Sequence, residues 1–121
     1  MSHMSHCKRR VSYFVATVLA AGISLSASSV ALGADAEAAQ ALARQSNCFK
    51  CHAIDKKKDG PAWRDVAAKY KGKGEAEARL ITHITSGEKA KFEDGHEEEH
   101  AIVKSKDKDQ IKNLVDWILS L

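Results

Sequence analysis

The chain contains little methionine, proline or aromatic side chain. Met1 and Met4 are its two methionines, so no thioether is present beyond residue 4 to ligate a metal. Pro61 is the single proline, and aromatic residues make up 6% of the chain. No internal repeat is visible and almost no segment alternates between apolar and polar residues, which argues against a repeat array or a β-sheet protein.

The one long apolar stretch lies at the N-terminus. A basic segment at residues 8–10 precedes a run of apolar and small residues that carries no charge until Asp35. This order is typical of a secretory signal peptide. An uncleaved membrane anchor is the alternative, but the second half of the stretch is weakly apolar. We predict a cleaved signal peptide at 1–34, a mature domain at 35–121, and export to the periplasm.

The formal net charge of +3 comes from the basic residues of this leader. Residues 35–121 hold 16 Lys and Arg against 16 Asp and Glu, so the mature domain is formally neutral. Neither nucleic-acid binding nor, after cleavage, membrane association is indicated. A domain of about 87 residues buries little apolar surface and usually needs a disulfide, a metal or a cofactor for stability.

Four short helices and one long polar loop are predicted for the mature domain. Acidic or proline starts, glycine ends and apolar residues at helical spacing mark the helices. The segment 88–106 has no clear period and is predicted as a loop. The fold class is therefore all-α, with helices at 35–47, 61–74, 75–87 and 107–121.

The segment "CFKCH" carries the chemistry of the chain. Cys48, Cys51 and His52 match C-x-x-C-H, the attachment signature of c-type haem. Two thiols at this spacing can reach the two vinyl groups of one haem, and the next residue then directs an imidazole at the iron. We predict one covalently attached haem c with its iron bound by His52, which also supplies the stabilisation that a small domain needs.

Three other interpretations of the cysteines are weaker. A thioredoxin-like pair requires a βαβ context, for which there is no pattern. A structural zinc site requires a second ligand pair, and His83, His96 and His100 lack the usual spacing for one. A disulfide between Cys48 and Cys51 is the third alternative in an oxidising compartment.

The chain resembles the small soluble class I cytochromes c of bacterial periplasms. The resemblance covers nearly all of 35–121 and rests on "CFKCH" after a helix, "GPAWRDVAAKY", a helix ending "SG" and the closing "LVDWILSL". It implies helices around one haem, with the first and last packed together. It also implies that the Pro61 carbonyl accepts the Nδ1–H of His52 and fixes its ring, although Pro61 could equally be a first-turn helix residue. The residues expected to be core around the haem are Trp63, Leu80, Ile84, Leu114 and Trp117.

The sixth iron ligand is the point where the chain departs from this family. The family usually supplies a methionine from the loop before the last helix, and that loop contains none here. Histidine is the natural replacement. Family loop lengths favour His100 as the sixth ligand, and His96 is the alternative. An open iron or a lysine ligand ranks below both histidines. His83 is predicted to be a surface or structural residue, with a ligand or an exposed redox-edge residue as the minor alternative.

These features predict an electron-transfer protein with two histidine ligands and a low reduction potential. Lys56, Lys57 and Lys58 are a candidate docking patch for unidentified redox partners. The alternative function is a haem-based sensor or binder of CO or NO with a labile distal histidine. We do not predict an enzyme, because a peroxidase needs an arginine near the iron and the sequence gives no reason for Arg64 or Arg79 to lie there.

Overall fold

The computed structural model describes residues 33–121, so most of the predicted signal peptide lies outside the described residues. Within this range, no helix is both long and apolar enough to cross a membrane. The elements in chain order are α1 (Ala36–Gln45), a 3₁₀ turn (Cys48–Lys50), α2 (Trp63–Tyr70), α3 (Ala76–Ser86), β1 (Lys89–Lys91), β2 (Glu97–Glu99) and α4 (Lys108–Leu119).

The first and last helices begin at aspartate caps. The Asp35 carboxylate accepts the backbone N–H of Ala38 at the start of α1. The Asp107 carboxylate accepts the N–H groups of Asp109 and Gln110 at the start of α4. Each cap accepts hydrogen bonds from N–H groups that a helix start leaves unpaired, and its negative charge interacts favourably with the positive end of the helix dipole.

Helices α1 and α4 pack against each other, as the family resemblance implies. The Asn113 side chain ties the middle of α4 to the start of α1, since it accepts the Asp35 N–H at 2.7 Å and donates to the Asp35 carbonyl at 2.9 Å. The predicted all-α fold is confirmed. The core that these helices share with α2 consists of Ala39, Leu42, Ala43, Trp63, Val103, Ile111, Leu114, Trp117 and Ile118.

The prediction of a loop throughout 88–106 is wrong in part. Strands β1 and β2 form an antiparallel ribbon in which Lys89 lies opposite Glu99 and Lys91 lies opposite Glu97. Opposite charges facing each other across two strands favour pairing, and Gly95 adopts a positive φ of 90° in the connecting turn. Three-residue strands are too short to produce a readable alternation, so the sequence pattern did not reveal them.

Candidate functional site

The two cysteines of "CFKCH" lie on a tight turn directly after α1. Asn47 takes the left-handed conformation that ends the helix, with φ of 57°. The backbone N–H groups of Cys51 and His52 then both bond to the Cys48 carbonyl, at 3.2 and 3.0 Å. Both cysteines are half-buried free thiols, and burial raises the pKa of the Cys48 thiol. The turn therefore fixes the spacing of two thiols and one imidazole along the edge of a cleft.

The His52 ring is held on three sides. Its Nδ1 lies 2.8 Å from the Pro61 carbonyl, and the ring stacks on Trp63 with centroids 5.7 Å apart and an interplanar angle of 15°. A Cβ placed on Gly60 would lie 2.5 Å from His52 Cε1, so the backbone there touches the ring. Nδ1 is thus occupied as the donor, which leaves Nε2 as the ring nitrogen with a free lone pair.

The position of Pro61 corrects one detail of the sequence reading. Helix α2 begins at Trp63 with Ala62 as its cap, so Pro61 precedes the helix and is not part of its first turn. The preceding loop is closed by a bond from the Gly60 N–H to the Cys51 carbonyl at 2.8 Å. This closure brings the Pro61 carbonyl to the imidazole.

A cleft of about 700 Å³ opens beside these residues. Its apolar wall includes four of the five residues expected to be core around the haem; Trp117 is buried behind them. Ile102, the exposed large apolar residue of the described chain at 56% accessibility, also faces this cleft. The residues that line the cleft include Cys48, Cys51, His52, Pro61, Trp63, Leu80, His83, Ile84, His100, Ile102 and Leu114.

His100 lies across the cleft from His52. The two ring centroids are 6.1 Å apart. The Nδ1 of His100 is buried without a hydrogen-bond partner in the described chain. Burial is the main cause that lowers the pKa of His100, and the neighbouring His83 and His52 lower it further. The Ala101 backbone acts in the opposite direction and raises this pKa.

The pKa of His52 is also lowered, mainly by burial, although the Pro61 carbonyl acts in the opposite direction. Both His52 and His100 are therefore neutral imidazoles at neutral pH. Neutral imidazole is the form that binds a metal.

His96 lies outside the cleft, at the tip of the ribbon. Its ring stacks on Phe92 with centroids 4.3 Å apart, and its Nδ1 bonds to the Asp94 carboxylate. This bond raises the pKa of His96. His100 therefore lines the same cleft as His52, and His96 does not.

His83 is the residue that sequence reasoning undervalued. It lines the cleft, and its ring centroid lies 4.1 Å from that of His100. Arg79 also lines the cleft, contrary to expectation, and it pairs with Glu88 at 2.7 Å. Helical spacing was the sequence signal that could have placed both residues at the cleft. Arg79 and His83 are four residues apart and His83 is three residues from the inward-facing Leu80, so the three share one side of α3.

The predicted patch Lys56, Lys57 and Lys58 is exposed but partly engaged in intramolecular contacts. Lys57 pairs with Glu93, and the Lys58 ammonium donates to the Phe49 carbonyl. The lysines that line the cleft itself are Lys50, Lys69, Lys91 and Lys104.

The donor set fits a covalently attached haem and does not fit zinc. Within residues 33–121 no group of three or more His, Cys, Asp or Glu could hold a metal ion. Two free thiols, an oriented imidazole, an apolar wall and the exposed Ile102 at the cleft are what a flat apolar macrocycle with one metal requires.

Comparison with known proteins identifies the family. A family model described as cytochrome c matches residues 36–121. The chain belongs to the cytochrome c family. It is 36% identical to cytochrome c-551 of Pseudomonas aeruginosa, covering 89% of this chain and 95% of the relative. It is 37% identical to cytochrome c-552 of Nitrosomonas europaea, with 78% and 89% of the two chains covered.

A solved structure is similar to this chain over nearly the whole length of the solved chain. The crystal structure of class 1 cytochrome MtoD from Sideroxydans lithotrophicus ES-1 is 63% identical, with a TM-score of 0.70, and covers 73% of this chain and 97% of its own. Together these relatives support a monohaem electron-transfer cytochrome with one haem c, for which Cys48 and Cys51 are the attachment pair.

Proposed function

We propose that the protein is a periplasmic electron carrier whose haem iron is held between His52 and His100 and has a low reduction potential. Cys48 and Cys51 attach the haem, and Pro61 orients His52. Haem c, when bound, supplies a one-electron couple. The chain supplies ligation, an apolar wall and an edge open to partners, and we assign it no enzymatic reaction.

The observation that carries this proposal is the separation of His52 and His100. Their ring centroids are 6.1 Å apart across the cleft. Two imidazoles on opposite sides of one metal, each bound at about 2 Å, have centroids roughly 6 Å apart. The separation of the two rings in the described chain therefore supports the proposal that they share one iron.

The low potential follows from ligand chemistry. Imidazole donates more strongly to ferric iron than a thioether does, and axial ligands set potentials over a span of about 0.8 V. Glu98 and Glu99 line the cleft as well. Negative charge near the iron favours its more positive ferric state, so both effects act in the same direction.

Export is proposed on the sequence pattern of residues 1–34. Haem c is attached outside the cytoplasm, so the leader and the "CFKCH" segment support each other. Fractionation of cells that produce the full chain, with Lys8, Arg9 and Arg10 replaced by glutamate as the comparison, tests this. Export of the altered chain at the normal level would contradict the proposed leader.

Docking of a redox partner is proposed at the lysines near the cleft. The proposed docking surface consists of the predicted patch at residues 56–58 together with Lys50 and Lys69, which are exposed and line the cleft. The rate of oxidation by the anionic reagent ferricyanide should fall when Lys50 and Lys69 are changed to glutamate. It should fall less for Lys57→Glu, because the Lys57 charge is already opposed by Glu93.

The reduction potential tests the ligand assignment. His100→Met should raise the midpoint potential by at least ~0.1 V, because it restores a thioether ligand. His96→Met is the matched control, since it puts the same side chain on the same segment outside the cleft, and should leave the potential unchanged. A shift with His96→Met and none with His100→Met would contradict the assignment.

A further inference from the structure

A second histidine stands beside His100 at the cleft. His83 projects from α3, lines the cleft and places its ring centroid 4.1 Å from that of His100, at an interplanar angle of 43°. Its side chain is 29% exposed. The two imidazoles are thus neighbours in the lining of the cleft that also contains His52.

The His83 ring is held by a carboxylate, as the rings of metal-binding histidines commonly are. Its Nδ1 bonds to the Glu88 carboxylate, and Glu88 is held in turn by Arg79 at 2.7 Å. No hydrogen bond engages the Nε2 of His83 among the described residues. Metal-binding histidines commonly donate one ring N–H to a carboxylate, which fixes the tautomer and raises the basicity of the other nitrogen.

His100 lacks this support. Its Nδ1 is buried and unpartnered within residues 33–121, so no bond from a neighbouring group fixes the orientation of the ring. Its backbone N–H donates to the Glu88 carbonyl at 3.0 Å. Glu88 therefore holds the backbone of one histidine and the side chain of the other.

We propose that His83 is a second distal ligand, able to bind the haem iron in place of His100. The inference rests on the proposed ligation by His52 and His100. In the exchange, the bond from iron to the His100 Nε2 breaks and a bond to the His83 Nε2 forms, with no change of oxidation state. The iron then stays six-coordinate when His100 leaves, so the distal site resists small ligands.

The test compares ferric EPR and electronic spectra of haem-loaded variants. His100→Ala should remain low-spin, with a rhombicity different from that of the wild type, because His83 takes the position. His83→Ala with His100→Ala should become high-spin. His96→Ala in the His100→Ala background is the matched control and should stay low-spin.

The outcomes distinguish a failure of the proposed His83 ligation from a failure of the proposed His100 ligation. If His100→Ala is as high-spin as the double variant, His83 does not reach the iron and the inference is overturned. If instead the double variant stays low-spin, some other group is the sixth ligand and the proposed His100 ligation fails with it. Glu88→Gln in the His100→Ala background should increase the high-spin fraction, because the His83 ring loses its carboxylate.

A second measurement uses the intact distal ligand and so does not depend on the folding of His100→Ala. Carbon monoxide binds reduced haem only when the sixth position opens, and a second imidazole competes for that opening. His83→Ala should therefore bind carbon monoxide several-fold faster than the wild type. Equal rates, with far-UV circular dichroism showing both proteins folded, would overturn the proposal.

Discussion

The two sides of the cleft are built differently. On the Cys-motif side, residues 47–63, the imidazole of His52 is bonded to Pro61, stacked on Trp63 and touched by the Gly60 backbone. On the opposite side, residues 87–103, an exposed two-stranded ribbon leads to His100, whose Nδ1 has no partner in the described chain. One side holds the imidazole ring of its histidine by direct contacts, whereas the other holds its histidine through the backbone, by the bond from the His100 N–H to the Glu88 carbonyl.

The difference predicts which side is adjustable. Residues 48–63 close on themselves through backbone bonds between near neighbours, so the His52 geometry is fixed within one short segment. The distal segment, residues 87–103, is tied to α3 through the bond from the Val103 N–H to the Ile84 carbonyl, whereas the bond from the His100 N–H to Glu88 lies within the segment. Few local contacts and an exposed backbone make a region easier to rearrange. The proposed ligand exchange therefore belongs to the distal side.

The largest expected effect comes from removing both attachment thiols on the Cys-motif side. Cys48→Ser with Cys51→Ser should abolish covalent haem and leave a poorly folded chain, because a domain this small depends on its cofactor. Haem staining after denaturing electrophoresis and far-UV circular dichroism measure this. Cys7→Ser is the control and should keep full staining; its loss of staining would contradict the assignment of the attachment pair.

Gly60→Ala should disturb the His52 ring directly. The added Cβ would meet Cε1 at 2.5 Å, and overpacking of this kind typically costs about 1–3 kcal/mol. Gly74→Ala is the matched control, since a Cβ there meets nothing within 4 Å. Chemical denaturation of the haem-loaded proteins measures both. Equal stability of the two variants would show that Gly60 is not in contact with the ring.

Gly87→Ala makes the corresponding change on the distal side. Gly87 ends α3 with φ of 69°, and its Cβ would lie 3.3 Å from the Ile102 side chain. A Cβ in this conformation costs about 1 kcal/mol, less than expected for Gly60→Ala. The change should also speed carbon monoxide binding to the reduced protein, because it displaces the segment that carries His100. An unchanged rate would argue that the distal segment is as rigid as the Cys-motif side.

Asp94→Asn should have the smallest effect. The Asp94 carboxylate raises the pKa of His96, so the folded chain holds that proton more tightly than the unfolded chain. This contribution to stability is present below the ordinary histidine pKa of about 6.5 and is lost as the pH rises through the folded pKa. NMR titration of the haem-loaded protein should show a lower His96 pKa in Asp94→Asn. A His96 that does not titrate in the wild type would mean that it is bound to iron.

The sequence predicted the Cys-motif side well because its determinants are adjacent along the chain. The spacing of Cys48, Cys51 and His52 and the single proline were readable directly, and the acidic start of α1 is a helix cap. The distal side depends on charge pairs across a ribbon and on two backbone bonds from the segment after β2, one to Glu88 and one to Ile84 of α3. Neither leaves a periodic pattern, so the ribbon and the placement of His83 beside His100 required three-dimensional information.

The measurement that tests the central claim most directly is the ferric EPR spectrum of haem-loaded His83→Ala, with and without His100→Ala. The His83→Ala background removes the histidine that could replace His100. The account predicts a low-spin spectrum with two imidazole ligands for His83→Ala, and conversion to high-spin when His100→Ala is added. A high-spin His83→Ala protein, or a double variant that stays low-spin, would contradict axial ligation by His52 and His100.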